Sequence, residues 1–139
     1  MSETAHLELE SIEAGLKFAV TTGPGHRMTL DSGPETHDPN PMQALLAALG
    51  GCHAMDIISV LRKKRQRVTA YHVEMTGERR SEHPKAYTRI EMVHRLRGHE
   101  LSAAAVEEAI RLTETKYCSV HFSMDPKIEV ISRFEIAPA

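Results

Sequence analysis

A chain of 139 residues with 41% hydrophobic and 26% charged side chains is long enough for one packed core and too apolar to be wholly disordered. A net charge of −2 supplies no global field toward nucleic acid or anionic lipid, and 4% aromatic content without Trp argues against a base-stacking surface. One domain over residues 1–139 is therefore expected, with neither nucleic acid nor membrane as a partner.

The first segment, MSETAHLELESIEAG, lacks a basic stretch followed by an apolar run. That predicts no secretory signal and a cytoplasmic location, where thiols are mainly reduced. Alternation then sets the pattern. Leu7, Leu9 and Ile12 fall roughly on one face, as do Leu16, Phe18 and Val20, then Met28 and Leu30. Three short strands are expected, with turns at Glu13–Gly15 and Gly23–Gly25.

A proline-rich loop, SGPETHDPNP, leads to Asn40-Pro41, which reads as a helix cap followed by proline at the first helical position. A helical pattern runs from there to about Arg67 and ends in RKKRQR, whose cations suit the negative end of the helix dipole. A solvated helix end is the better reading of that run than a nucleic-acid patch. The apolar run Ala44–Leu61 is 18 residues long, the lower edge of a membrane span, but His53 and Asp56 in its middle favour a buried core helix. Leu45, Leu46, Leu49, Met55, Ile57, Ile58 and Leu61 cover most of the helix circle. Such a helix needs burial on more than one side, which predicts a homodimer.

Two strands are expected at residues 68–80 and 86–97, then a helix capped by Ser102 and ending near Thr115, then the segment KYCSVHF and a last strand in KIEVISRFEI. Three strands, a long helix, two strands, a helix and a strand make an α+β fold, a mainly antiparallel sheet covered by two helices.

The chemistry centres on the two cysteines, Cys52 and Cys118. Cys52 follows Gly50 and Gly51 within the long helix, where each glycine costs about 1 kcal/mol relative to alanine. Either another backbone packs against that gap or a ligand reaches the sulfur through it. A break at the glycines would set Cys52 at a helix N-terminus that favours its thiolate. Lys116 lies two residues from Cys118 and would lower its pKa if the side chains met. Asp56, one turn beyond Cys52, can face it, and as an anion it would disfavour the thiolate a cysteine hydrolase needs.

A metal site built from Cys52, His53, Cys118 and His121 is conceivable. Adjacent helical residues point about 100° apart, however, and no C-x-x-C or H-E-x-x-H is present, so neither metal nor cofactor is expected. The other histidines, His6, His26, His37, His72, His83, His94 and His99, read as surface residues. The bland reading of both cysteines is two small buried hydrophobes.

NPMQALLAALGGCHAMDI, followed far downstream by KYCSV, resembles the OsmC/Ohr family of osmotically inducible and organic-hydroperoxide-resistance proteins. The likeness covers nearly the whole chain. It implies an intertwined α+β homodimer with interface sites, in which Cys52 is the peroxidatic thiol and Cys118 the resolving thiol. The substrate would be an organic hydroperoxide and the reductant a small dithiol, dihydrolipoyl in better-known members. Those members carry a Glu ten residues before the first cysteine that orients an activating Arg. Here that position is Met42, and Arg27 is the only arginine before the helix. The second reading is a non-catalytic protein that holds a small molecule in an apolar interface pocket.

Overall fold

A computed structural model describes all 139 residues. The chain forms two compact units, Met1–Ala47 and Ala48–Ala139.

The first unit is a three-stranded antiparallel meander, β1 (Ala5–Ser11), β2 (Lys17–Thr22) and β3 (His26–Asp31), in the order β1-β2-β3. Its turns fall where the sequence places them, and the second uses Gly23 and Gly25 at positive φ. Leu7, Leu9, Leu16 and Met28 are exposed, while Val20 is buried. The helix α1 (Pro41–Lys63) begins in this unit. Asn40 and Gln43 make a reciprocal cap: Gln43 N–H donates to Asn40 Oδ1 at 2.8 Å and Asn40 N–H to Gln43 Oε1 at 2.9 Å.

In the second unit α1 runs on unbroken to Lys63, and Arg65 at φ 56° turns the chain out of it. The expected helix ran to about Arg67; the left-handed residue stops it earlier. Lys64 bridges to Glu108 at 2.8 Å, so the basic run also ties the helix end to the next helix. Long strands β4 (Arg67–Arg79) and β5 (Tyr87–His99) pair antiparallel. Ser102 then caps α2 (Ala103–Leu112), accepting from Ala105 N–H. A wider π-turn, Thr113–Tyr117, follows, and then a short helix α3 (Ser119–Ser123) where KYCSVHF stands.

The last strand, β6 (Glu129–Pro138), lies parallel to β5, because α2 and α3 form the crossover that a parallel pair requires. The fold is thus α+β, with the strands divided between two three-stranded sheets rather than joined in one. The second unit's core is Ile57, Val60 and Leu61 of α1, Leu96 of β5, and Val106, Ala109 and Ile110 of α2. Burying one such aliphatic side chain is worth about 1.5–3 kcal/mol, and this cluster fixes the rotation of α1 about its axis.

Candidate functional site: a dithiol and a carboxylate at the middle of the long helix

With Ile57, Val60 and Leu61 turned into the core, Cys52 and Asp56 lie together on another line of α1, one turn apart. Cys52 Sγ is 3.9 Å from Asp56 Oδ2, so the expected facing of the two is present. Cys118 comes from the far end of the crossover. The π-turn closes with Cys118 N–H donating to Thr113 O at 3.0 Å. Its extended backbone makes Cys118 the cap of α3, with Sγ accepting from His121 N–H at 3.3 Å. This delivers the buried Cys118 to Cys52. The two sulfurs and a carboxylate oxygen of Asp56 all lie within 4.8 Å of one another, with both cysteines free.

Burial pushes the Cys118 thiol well above the ordinary cysteine value. A hydrogen bond to Cys52 adds to this, as do the charges of Cys52 and Asp56, so Cys118 is a neutral thiol near pH 7. Lys116 does not assist it; its ammonium sits 5.4 Å over the Tyr117 ring. A cleft of about 440 Å³ opens beside Cys118, lined by Glu114, Lys116, His121, Phe122 and Met124 among others. A larger recess of about 660 Å³ lies on the first sheet and contains no cysteine.

The two glycines separate in role. A side chain at Gly50 would collide with Met75 Sδ, so Gly50 lets α1 pack close against β4. A Cβ at Gly51 would meet nothing within 4 Å. Because α1 does not break there, Cys52 is at mid-helix and has no helix N-terminus beside it.

The histidines form a second arrangement. His53 points into the core with no exposed surface, and its Nε2 meets His121 Nδ1 at 3.1 Å with the rings stacked. His53 and His121 therefore face each other and do not join the thiols. His94, expected at the surface, is also fully buried, and its Nδ1 is hydrogen-bonded with the Tyr71 hydroxyl at 2.6 Å. It is buried because it lies in phase with Ile90, Met92, Leu96 and Gly98 on the covered face of β5, while the alternate face carries Glu91, Arg95, Arg97 and His99. Desolvation holds His53 and His94 down at about 4, the charges of His121 and His94 adding to it at His53, while burial pushes Tyr71 up. The other six histidines of that group are exposed.

Arg27 is exposed on β3, opposite Thr21, in the first unit. The dithiol site is built wholly from the second unit. Nothing in the sequence pattern signals the His53–His121 or Tyr71–His94 pairs, whose members are 68 and 23 residues apart.

A family model described as OsmC-like protein matches residues 33–133. Protein YhfA of Escherichia coli K12 is 36% identical over 125 residues, which are 90% of this chain and 93% of YhfA. The solved structure of a hypothetical protein from Aquifex aeolicus aligns with TM-score 0.87 and 32% identity, covering all of this chain and 98% of that one. The organic hydroperoxide resistance protein OhrB of Bacillus subtilis shares the fold, with TM-score 0.63 and 14% identity over 95% of this chain and 98% of its own.

Proposed function

We propose that this chain, which belongs to the OsmC-like protein family, is a cytoplasmic thiol-dependent peroxidase for organic hydroperoxides. The observation that carries the reading is the approach of two free sulfurs within 4.8 Å, one on α1 and one on the crossover, the second of which lines a cleft.

The chemistry follows from those positions. The Cys52 thiolate attacks the terminal oxygen of the hydroperoxide. The O–O bond breaks, the alkoxide leaves and takes a proton to become the alcohol, and Cys52 becomes a sulfenic acid. Cys118, held neutral by burial, keeps its proton until it attacks that sulfur. The S–O bond then breaks, water departs, and a disulfide forms. A small dithiol restores both thiols by exchange and is itself oxidised to a disulfide. The apolar lining from Phe122 and Met124 suits an alkyl chain better than hydrogen peroxide.

The family likeness makes Arg27 the candidate for an activating cation; Arg27 belongs to the first unit, whereas the dithiol group is drawn from the second alone. Met42 cannot take the orienting role of a carboxylate, and Gln43 is committed to the cap of α1. A homodimer is part of the same proposal. It is supported by the apolar surface a single chain leaves uncovered, Leu7 and Leu9 on the first sheet and Met55 and Phe122, 76% and 93% exposed, in the second unit.

Met42 at the helix start favours one second reading, a non-catalytic binding protein whose cleft holds an apolar molecule. Peroxide consumption with a dithiol reductant separates the two. The wild type is expected to turn over cumene hydroperoxide and Cys52→Ser to fall to the uncatalysed rate. Full turnover by Cys52→Ser would remove the peroxidase reading.

A further inference from the structure

The peroxidase scheme uses both sulfurs and leaves Asp56 without a task. Asp56 takes part in no ion pair, and its one hydrogen bond is to Cys52. A half-buried carboxylate therefore faces two thiols with no cationic side chain bonded to the group.

We propose that Cys52, Asp56 and Cys118, when the cysteines are reduced, form a three-ligand site for a thiophilic divalent cation, best met by Zn²⁺. Tetrahedral zinc with bonds of about 2.3 Å to sulfur and 2.0–2.2 Å to carboxylate oxygen needs ligand atoms about 3.6–3.8 Å apart. Cys52 Sγ and Asp56 Oδ2 are 3.9 Å apart, and no pair in the group exceeds 4.8 Å, so ordinary rotamer adjustment closes the cage.

The spacing explains why two ligands come from one helix: residues four apart stack on one line, so Cys52 and Asp56 present their donors together. Cys118 is carried in by the crossover and already points at both. Two sulfurs discriminate against magnesium and calcium, which take oxygen ligands. Three protein donors leave the fourth position open for water or a small ligand, and one of the three, Cys118, lines a cleft. The histidines that the sequence offers as ligands, His53 and His121, are turned to each other instead. Metal and hydroperoxide would contend for the same sulfurs. The binding itself needs no peroxidase chemistry, so the two proposals fail separately.

The test is an anaerobic titration of the fully reduced whole chain with Co²⁺, a spectroscopic stand-in for Zn²⁺. The expected result is a sulfur-to-cobalt charge-transfer band with tetrahedral visible bands, saturating at one ion per chain and erased by one equivalent of Zn²⁺. Cys52→Ser and Cys118→Ser should each lose about half of the charge-transfer intensity, as each removes one of the two sulfurs. Asp56→Asn, which keeps the side chain's shape and both thiols, should weaken binding by about tenfold or more, the scale at which altering even a supporting residue is felt. No charge-transfer band from folded, reduced wild type overturns the site. Unweakened binding by Asp56→Asn overturns the role of the carboxylate. A normal cobalt spectrum from protein whose thiols survive hydroperoxide would uphold the metal site and remove the peroxidase reading; thiols consumed by hydroperoxide without any cobalt band would do the reverse.

Discussion

Cys52 and His53 are neighbours in the chain and opposites in the fold. Cys52 sits on the line of α1 that meets Asp56 and Cys118 beside a cleft. His53, turned about 100° from it, enters the core and meets His121. Both are buried polar arrangements, yet their chemistry differs. The thiol group holds three ionisable atoms within 4.8 Å at an accessible edge, a place for reaction or ligation. His53 is desolvated until it is neutral, a place where charge is excluded. One helix supports both because its rotation, fixed by Ile57, Val60 and Leu61, assigns each residue type to its surroundings.

The sharpest way to break that contrast is a pair of substitutions one residue apart. Cys52→Ser should abolish hydroperoxide consumption, whereas His53→Leu should leave it within about twofold at pH 7, because His53 is neutral and faces away from the sulfurs. A collapse of activity in a folded His53→Leu protein would mean the two arrangements act as one.

Acid should expose the histidine side alone. His53 and His94 are lowered from 6.5 to about 4, so between those values the unfolded chain binds protons that the folded chain refuses. Stability is therefore full above pH 6.5 and falls as the pH drops toward 4, by up to about 3 kcal/mol per histidine. Urea unfolding at pH 7 and pH 5 measures the loss, and His53→Leu should remove about half of it. An unchanged pH dependence in that variant would contradict the assignment.

A smaller effect compares two residues two positions apart on α1. Ile57 is fully buried and Met55 is 76% exposed. Ile57→Ala should cost about 2–5 kcal/mol in chemical denaturation, while Met55→Ala should change the single chain's stability by less than about 0.5 kcal/mol. Met55→Ala should instead shift any dimer toward monomer in analytical ultracentrifugation. The smallest effect concerns the glycines. Gly51→Ala places its methyl in open space and should stabilise by up to about 1 kcal/mol, whereas Gly50→Ala displaces Met75 and should lose most or all of that gain.

Much of this frame is legible in the residues. The three opening strands, the Asn40-Pro41 helix start, the Ser102 cap and the facing of Cys52 and Asp56 follow from period, capping and four-residue spacing. What is not legible is what depends on long-range pairing. The division into two sheets and the parallel docking of β6 are decided by which edge the crossover returns to, and alternation carries no record of that. His94 is expected at the surface on residue type alone, yet it falls in phase with Ile90, Met92 and Leu96, so period two places it on the covered face against its polarity. Cys118 pairs with Cys52 across 66 positions through the local geometry of a π-turn and a five-residue helix, for which spacing gives no cue. Only the family likeness pointed to it.

The account rests on two sulfurs poised to exchange oxidation states, and counting free thiols tests this most directly. Fully reduced protein mixed with a slight excess of cumene hydroperoxide should lose both thiols of each chain within the mixing period, and peptide mapping should recover Cys52 linked to Cys118. Thiols that persist at millimolar hydroperoxide, in protein that remains folded, would contradict it.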